Sequence, residues 1–384
     1  MLASSSEDGT CALWAEGQDN GPERVWHLSC PSADRVCIPS AGEGESKSGS
    51  AWASVVQHLA VEPRERDGER DGERHSRLAA AAGSSVFVLA REEAEPLTQL
   101  RAVAAVTGLE YAPIGRRLCA ASYGGISVWE EFGLSAASAA GPALVLPFSG
   151  LLGSVAVAAD EHYIASGAHD STLVVWPFNG RGDQRGACGE QEGHEGGAVS
   201  CTEASGAASE GAAAAAGGAP LFFGGYGRKV GPVEFGPWDS RLLASAGGRQ
   251  AVVWDMGPPG AAPPVRQNGR ATVLVGHRAP VEWLGFAPDS RQSGRHTLAT
   301  LSSGCVRIYR LEPARAAEGR EWAGGAPTQA ARLKPVAECR MPAAAGGGGG
   351  YEDAMGDAFV LAWSPCGQYL FGAGRRSLTR ISYR

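Results

Sequence analysis

One spacing recurs seven times in the 384 residues. An apolar run opens on Leu, and a second run closes 11 positions later: Leu78 to Leu89, Leu118 to Trp129, Leu243 to Trp254, Leu298 to Tyr309 and Leu370 to Ile381. Two copies are one residue longer, Leu2 to Trp14 and Ile164 to Trp176. A tight turn separates the runs, as Gly247-Gly248 does between Leu242–Ser245 and Ala251–Trp254. Ahead of most copies stands a further apolar template closed by Pro. It reads Val56, Leu59, Val61, Pro63; then Val106, Leu109, Tyr111, Pro113; then Val230, Val233, Phe235, Pro237; then Val281, Leu284, Phe286, Pro288. Leu152, Val155 and Val157 repeat it with Ala159 in place of Pro, and Ala358, Leu361, Trp363, Pro365 form a looser copy. Short apolar, β-branched runs bounded by Gly, Pro, Asp and Ser are strands and turns. A unit of three or four such strands exposes both faces and cannot stand alone, so the units must bury their faces against one another.

The stretch Ile164-Ala165-Ser166-Gly167-Ala168-His169-Asp170-Ser171-Thr172-Leu173-Val174-Val175-Trp176 resembles the second half of a WD repeat, as does Leu2 to Trp14. Val253-Trp254-Asp255 carries the Trp-Asp pair itself, and Gly276-His277 the Gly-His that opens a unit. The resemblance covers most of the chain outside its insertions. Leu89 and Ile381 stand in the place of Trp, and most units lack Gly-His. It implies an all-β fold, a seven-bladed β-propeller of four-stranded WD40-type blades with the first and last blades incomplete. It also implies structural hydrogen-bond networks linking Ser166, Asp170 and Trp176 in one blade and Ser4, Asp8 and Trp14 in another. Asp255 and His277 are the structural residues of two more units.

One domain over 1–384 accommodates all seven units, with blades at about 1–31, 55–101, 106–149, 152–225, 230–275, 278–342 and 357–384. Low-complexity insertions fill 64–76, 179–219, 257–270, 313–335 and 343–356. They include a tandem Asp-Gly-Glu-Arg, an Ala run at 212–216 and a Gly run at 346–350. Such segments bury too little apolar surface to order themselves and are expected to be disordered. The first unit opens at Leu2 on its second strand, and the last ends on its third. That pattern predicts an upstream segment carrying both missing strands.

The formal net charge of −7 weighs against a nucleic-acid partner, which asks for a basic face. No apolar run is long enough to span a membrane, and no signal-peptide pattern opens the chain. Nine scattered Cys without a CxxC read as reduced thiols, which places the protein in the cytoplasm or nucleus.

Chemistry-bearing motifs are sparse. Cys188, His194 and Cys201 have none of the close ligand pairs of a zinc site. Lys229 stands between Arg228 and Val230, outside any phosphate-loop pattern. His169, Asp170 and Ser171 are consecutive and cannot converge as a triad, so Asp170 reads as a turn cap. Trp14, Trp129, Trp176 and Trp254 close third strands and read as core. No catalytic residue, metal or cofactor is expected. The expected role is a scaffold or adaptor that presents a propeller rim to protein or peptide partners; fold alone carries that step by analogy. An active site in the central channel and a nucleic-acid-associated propeller are the alternatives.

Label the strands of a blade a to d. Most insertions fall in a–b and c–d loops on one rim, which leaves the b–c turns and d–a loops short on the other. That shorter rim is the expected recognition face, with Tyr123, His169, Tyr226, Arg228, Arg249, Arg278 and Arg375 as candidate anchors.

Overall fold

The computed structural model describes residues 2–5, 10–16, 22–29, 58–61, 77–90, 98–114, 117–130, 141–178, 219–237, 241–257, 271–288, 296–311, 331–341, 360–364, 367–373 and 378–382. All regular elements among the described residues are β-strands, arranged in seven small sheets. Sheet one holds β1 (Leu2–Ser5), β2 (Thr10–Glu16) and β3 (Pro22–Ser29). Sheet two holds β4 (His58–Val61), β5 (Arg77–Ala82), β6 (Ser85–Ala90) and β7 (Thr98–Arg101). Sheet three holds β8 (Val106–Tyr111), β9 (Leu118–Trp129) and β10 (Leu144–Leu151). Sheet four holds β11 (Ala156–Val157), β12 (Tyr163–Gly167), β13 (Leu173–Pro177) and β14 (Leu221–Phe223). Sheet five begins with β15 (Val230–Phe235), β16 (Leu242–Gly247), β17 (Gln250–Asp255) and β18 (Ala271–Leu274). Sheet six takes β19 (Trp283–Phe286), β20 (His296–Ser302) and β21 (Cys305–Leu311). After β22 (Ala331–Leu333) it is completed by β23 (Ala337–Arg340). Sheet seven holds β24 (Val360–Trp363), β25 (Tyr369–Ala373) and β26 (Leu378–Ser382).

The recurring offset is strand register. Leu78 faces Leu89, Leu243 faces Trp254, Leu298 faces Tyr309 and Leu370 faces Ile381 as direct cross-strand partners. In the longer copies Leu2 faces Trp14 and Ile164 faces Trp176. In sheet three the two middle strands run on as β9, whose first half pairs with β8 and second half with β10. Gly124 and Gly125 lie between the halves with φ of 92° and 142°. The β20–β21 turn has φ of 48° at Ser303 and 66° at Gly304, the double left-handed geometry of a two-residue hairpin.

The apolar faces close against the next sheet in sequence. Ala79, Val88 and Leu100 of sheet two pack with Tyr111, Leu118 and Trp129 of sheet three. Cys119, Ile126 and Val128 then pack with Val157, Ile164 and Trp176 of sheet four. Three more clusters join four to five, five to six and six to seven. A hydrogen bond recurs at these seams and explains the first apolar position of the template. The N–H of Val106 donates to Gly83 O (2.8 Å), that of Val230 to Ala168 O (3.0 Å) and that of Val281 to Gly248 O (2.8 Å). Leu152 N–H reaches Ser122 O at a longer 3.4 Å. Each bond ties the opening of a sheet's first strand, or the residues just ahead of it, to the turn region between the middle strands of the preceding sheet, so these turns share one end of the stack.

One insertion boundary is corrected. Residues 331–333 are not loop: β22 pairs in parallel with β18, Thr272 opposite Ala331 and Leu274 opposite Leu333, as a fifth strand on sheet five. The insertion at 64–76, that at 343–356 and nearly all of 179–219 and 257–270 lie outside the described residues, as does 313–330.

Candidate functional site

Antiparallel pairing brings the turn after each second strand and the loop before each first strand to the same end of the stack. Tyr123 is there, 64% exposed. His169 is exposed and anchored by its N–H to Leu151 O at 3.0 Å. Arg228, Arg249 and Arg278 are exposed as well. Arg375 lies outside the described residues. Tyr226 is a correction. It is only 7% exposed, and its hydroxyl sits 2.5 Å from Ser245 Oγ and accepts from Trp254 Nε1 at 2.8 Å. Trp254 Nε1 also reaches Ser245 Oγ at 3.1 Å. A Tyr beside Gly224, Gly225 and Gly227 reads as surface loop, but the seam between sheets four and five covers it.

Sheet six repeats the arrangement with other side chains. His277 Nε2 lies 2.9 Å from Thr300 Oγ1 and 3.3 Å from Tyr309 Oη. Tyr226 and His277 therefore play one part: a group ahead of a sheet joins a hydroxyl on a second strand to an aromatic on a third. Burial, reinforced by the Arg307 charge, lowers the His277 pKa to about 4, which keeps the imidazole neutral. The network implied for Ser166, Asp170 and Trp176 does not form. The Ser166 hydroxyl donates to Ser154 O, and Asp170 Oδ1 caps its own turn by accepting from Thr172 N–H at 3.0 Å. Trp176 Nε1 is buried with no hydrogen-bond partner among the described residues, as is Trp129 Nε1. Nothing among the described residues of sheet four fills the part of Tyr226 or His277. Asp255 takes a two-pronged ion pair from Arg241, Nε and Nη2 each 3.0 Å from a carboxylate oxygen, and accepts from Gly257 N–H at 3.0 Å. Ser4 and Trp14 are placed in β1 and β2, while Asp8 and the set Cys188, His194 and Cys201 lie outside the described residues.

The rim residues Arg228 and Arg249 come together in an open cleft of about 1340 Å³ on sheet five. Glycines 227, 247, 248 and 276 form much of its wall, and Arg332 of β22 supplies a third guanidinium. Sequence reasoning missed Arg332, because it placed that residue inside a low-complexity insertion. Gly248, at φ 60°, is needed here: a Cβ on it would come within 3.3 Å of the Arg228 stem.

Two carboxylates on the first strands of their sheets, β8 and β15, also escaped notice. Glu110 and Glu234 occupy the same template position, just before Tyr111 and Phe235. Glu234 Oε1 accepts from Phe286 N–H of the next sheet at 3.1 Å. Glu110 has the Val157 N–H as its backbone partner, again on the next sheet. Burial pushes each carboxyl up to about 8, and at Glu110 the charge of Glu234 adds to the rise. They read as clamps between sheets. The folded state thus holds protons that the unfolded chain loses near 4.5, so stability falls as pH rises from about 4.5 through 8. His277 acts in the opposite sense, its contribution being lost as pH falls from 6.5 through about 4. The carboxylate effect is therefore cleanest above pH 6.5. Both residues keep part of their surface exposed, which screens the effect to about 2 kcal/mol between about pH 6.5 and 8.5. Thermal melts across that range should show the fall in the native chain and a flat line in Glu110→Gln/Glu234→Gln. Equal slopes would refute the assignment.

Among the described residues no group of three or more His, Cys, Asp or Glu is placed to hold a metal ion. No helix among them is long and apolar enough to cross a membrane. Residues 148–177, which span β11 to β13, match the family model described as WD domain, G-beta repeat. No curated protein matches the chain.

Proposed function

From the WD40 repeat that this chain carries at residues 148–177, we propose that it is a non-catalytic scaffold that uses one propeller rim to bind protein or peptide partners. The fold it needs is a single seven-bladed ring, each sheet being one blade. The seven sheets and the repeated seam bond between successive sheets support that geometry. The strands are consumed in packing, so recognition falls to the ends. The observation that carries the reading is the exposure of Tyr123, His169, Arg228, Arg249 and Arg278 at the end where the turns are short. Tyr and Arg are the side chains that most often anchor interfaces. A cytoplasmic or nuclear location is part of this reading, supported by nine scattered Cys without a CxxC and by the free thiols of Cys119, Cys305 and Cys339 among the described residues.

The test is affinity capture with the native chain and with the fivefold alanine variant at these positions, followed by titration of each captured protein in purified form. Loss of at least about tenfold in affinity for one partner, about 1.4 kcal/mol, with an unchanged melting temperature, is the expected result. Retention of every native partner by the variant would sink the rim reading.

A further inference from the structure

We propose that the cleft on sheet five docks an acidic peptide stretch of a partner protein, with Arg228, Arg249 and Arg332 pairing its carboxylates. This rests on the rim reading and names the partner's chemistry at one part of that rim. The three guanidiniums come from three separate elements: the loop ahead of β15, the β16–β17 turn and β22. Among the described residues no Asp or Glu lines the cleft, and no ion pair uses any of the three arginines. Exposed guanidiniums without counter-charges, gathered at one hollow, attract carboxylates, and each planar fork donates to one in a bidentate pair.

A fourth guanidinium lies beneath the wall. Arg307 is 4% exposed, and its Nε would sit 3.4 Å from a Cβ on Gly276. Its Nη2 donates to Glu338 at 3.0 Å, but Nε and Nη1 have no hydrogen-bond partner among the described residues. Its ion pair with Glu338 offsets that charge and the neutral His277 adds none, so the positive character of the cleft rests on the three exposed arginines.

Size and lining select the occupant. A volume of about 1340 Å³ exceeds the roughly 300–1,000 Å³ of small-molecule pockets and suits several residues of chain. Among the described residues no Phe, Tyr or Trp lines the cleft to stack a base, and a net charge of −7 repels a long polyanion. A peptide with a few successive Asp or Glu residues meets both conditions.

Fluorescence polarisation of the purified full chain with a fluorescein-labelled peptide of about six alternating Asp and Glu residues tests this, at about 50 and 200 mM salt. The expected result is saturable binding that weakens with salt and is missing for the matched Asn/Gln peptide. Arg228→Gln/Arg249→Gln/Arg332→Gln should weaken it at least about tenfold, Arg332→Gln alone several-fold, and Arg101→Gln, an exposed arginine on β7 of sheet two, not at all. Thermal melts check that each variant is folded, and if the triple variant is not, the single Arg249→Gln and Arg332→Gln variants decide. Equal binding of the neutral peptide overturns the proposal. So does unchanged affinity in folded arginine variants, or stronger competition by an oligothymidylate of the same charge. The rim reading fails in partner capture and the cleft reading fails in this titration, so the two failures are distinguishable.

Discussion

Replacing Trp254 by Ala will lower the unfolding free energy by about 4 kcal/mol in a urea titration. Trp254 is only 9% exposed and closes the third strand of sheet five opposite Leu243. Its ring lies 4.8 Å from that of Phe223 and 6.5 Å from that of Tyr226, so it fills the seam between sheets four and five. Truncation opens a cavity there and strips the Tyr226 and Ser245 hydroxyls of the Nε1 donor that holds them. The polar share is separable. Trp254→Phe keeps much of the ring and loses the donor, and should cost about 2 kcal/mol. Trp176→Phe should cost less, about 1 kcal/mol, because its Nε1 has no partner to lose. Equal costs for the two Phe variants would show that the Tyr226 network has no energetic role.

Gly125→Ala will be nearly as damaging, by about 3 kcal/mol or more. A Cβ at residue 125 would stand 2.2 Å from Leu146 O and 3.2 Å from Pro147 Cα, both backbone atoms of β10. Neither can move without breaking the Gly125–Pro147 and Ile126–Leu146 register. The φ of 142° adds strain of its own. Gly124→Ala is the control: φ is 92°, but the nearest atom is Val103 Cγ1 at 4.0 Å, so only backbone strain remains, about 1 kcal/mol. Paired melts of the two variants read the difference. If Gly124→Ala proves the worse, contact with β10 is not what reserves residue 125 for glycine.

The sheets were legible because register leaves a fixed trace in the chain. When Leu243 must face Trp254 across a two-residue turn, the interval between them is set by geometry, and the same holds for Leu298 with Tyr309. The burial of Trp129, Trp176 and Trp254 followed from the same pattern. What stayed hidden depends on contacts that have no local period. The strand Ala331–Leu333 is three residues long, follows a low-complexity stretch and pairs in parallel with a strand about 60 positions away. Glu110 and Glu234 alternate with apolar neighbours as solvent-facing residues do, yet each is held by the N–H of another sheet. Tyr226 looked like an exposed loop residue because nothing in its own neighbourhood reveals the indole that covers it. For Ser166, Asp170 and Trp176 the resemblance supplied three members of a network whose fourth group this unit lacks.

The detour of the chain through β22 changes how stability is shared. In a stack of repeats each unit touches only its neighbours, and the total is close to a sum of unit and interface contributions, so one unit can open while the next stays shut. Here sheet six lends a strand to the outer edge of sheet five, with Val275 N–H bonded to Leu333 O, before returning to complete itself. Opening the edge of either sheet pulls on the strand that leads into the other. Sheets five and six therefore open as one cooperative unit, and the arginine-lined cleft sits where the two are stitched together.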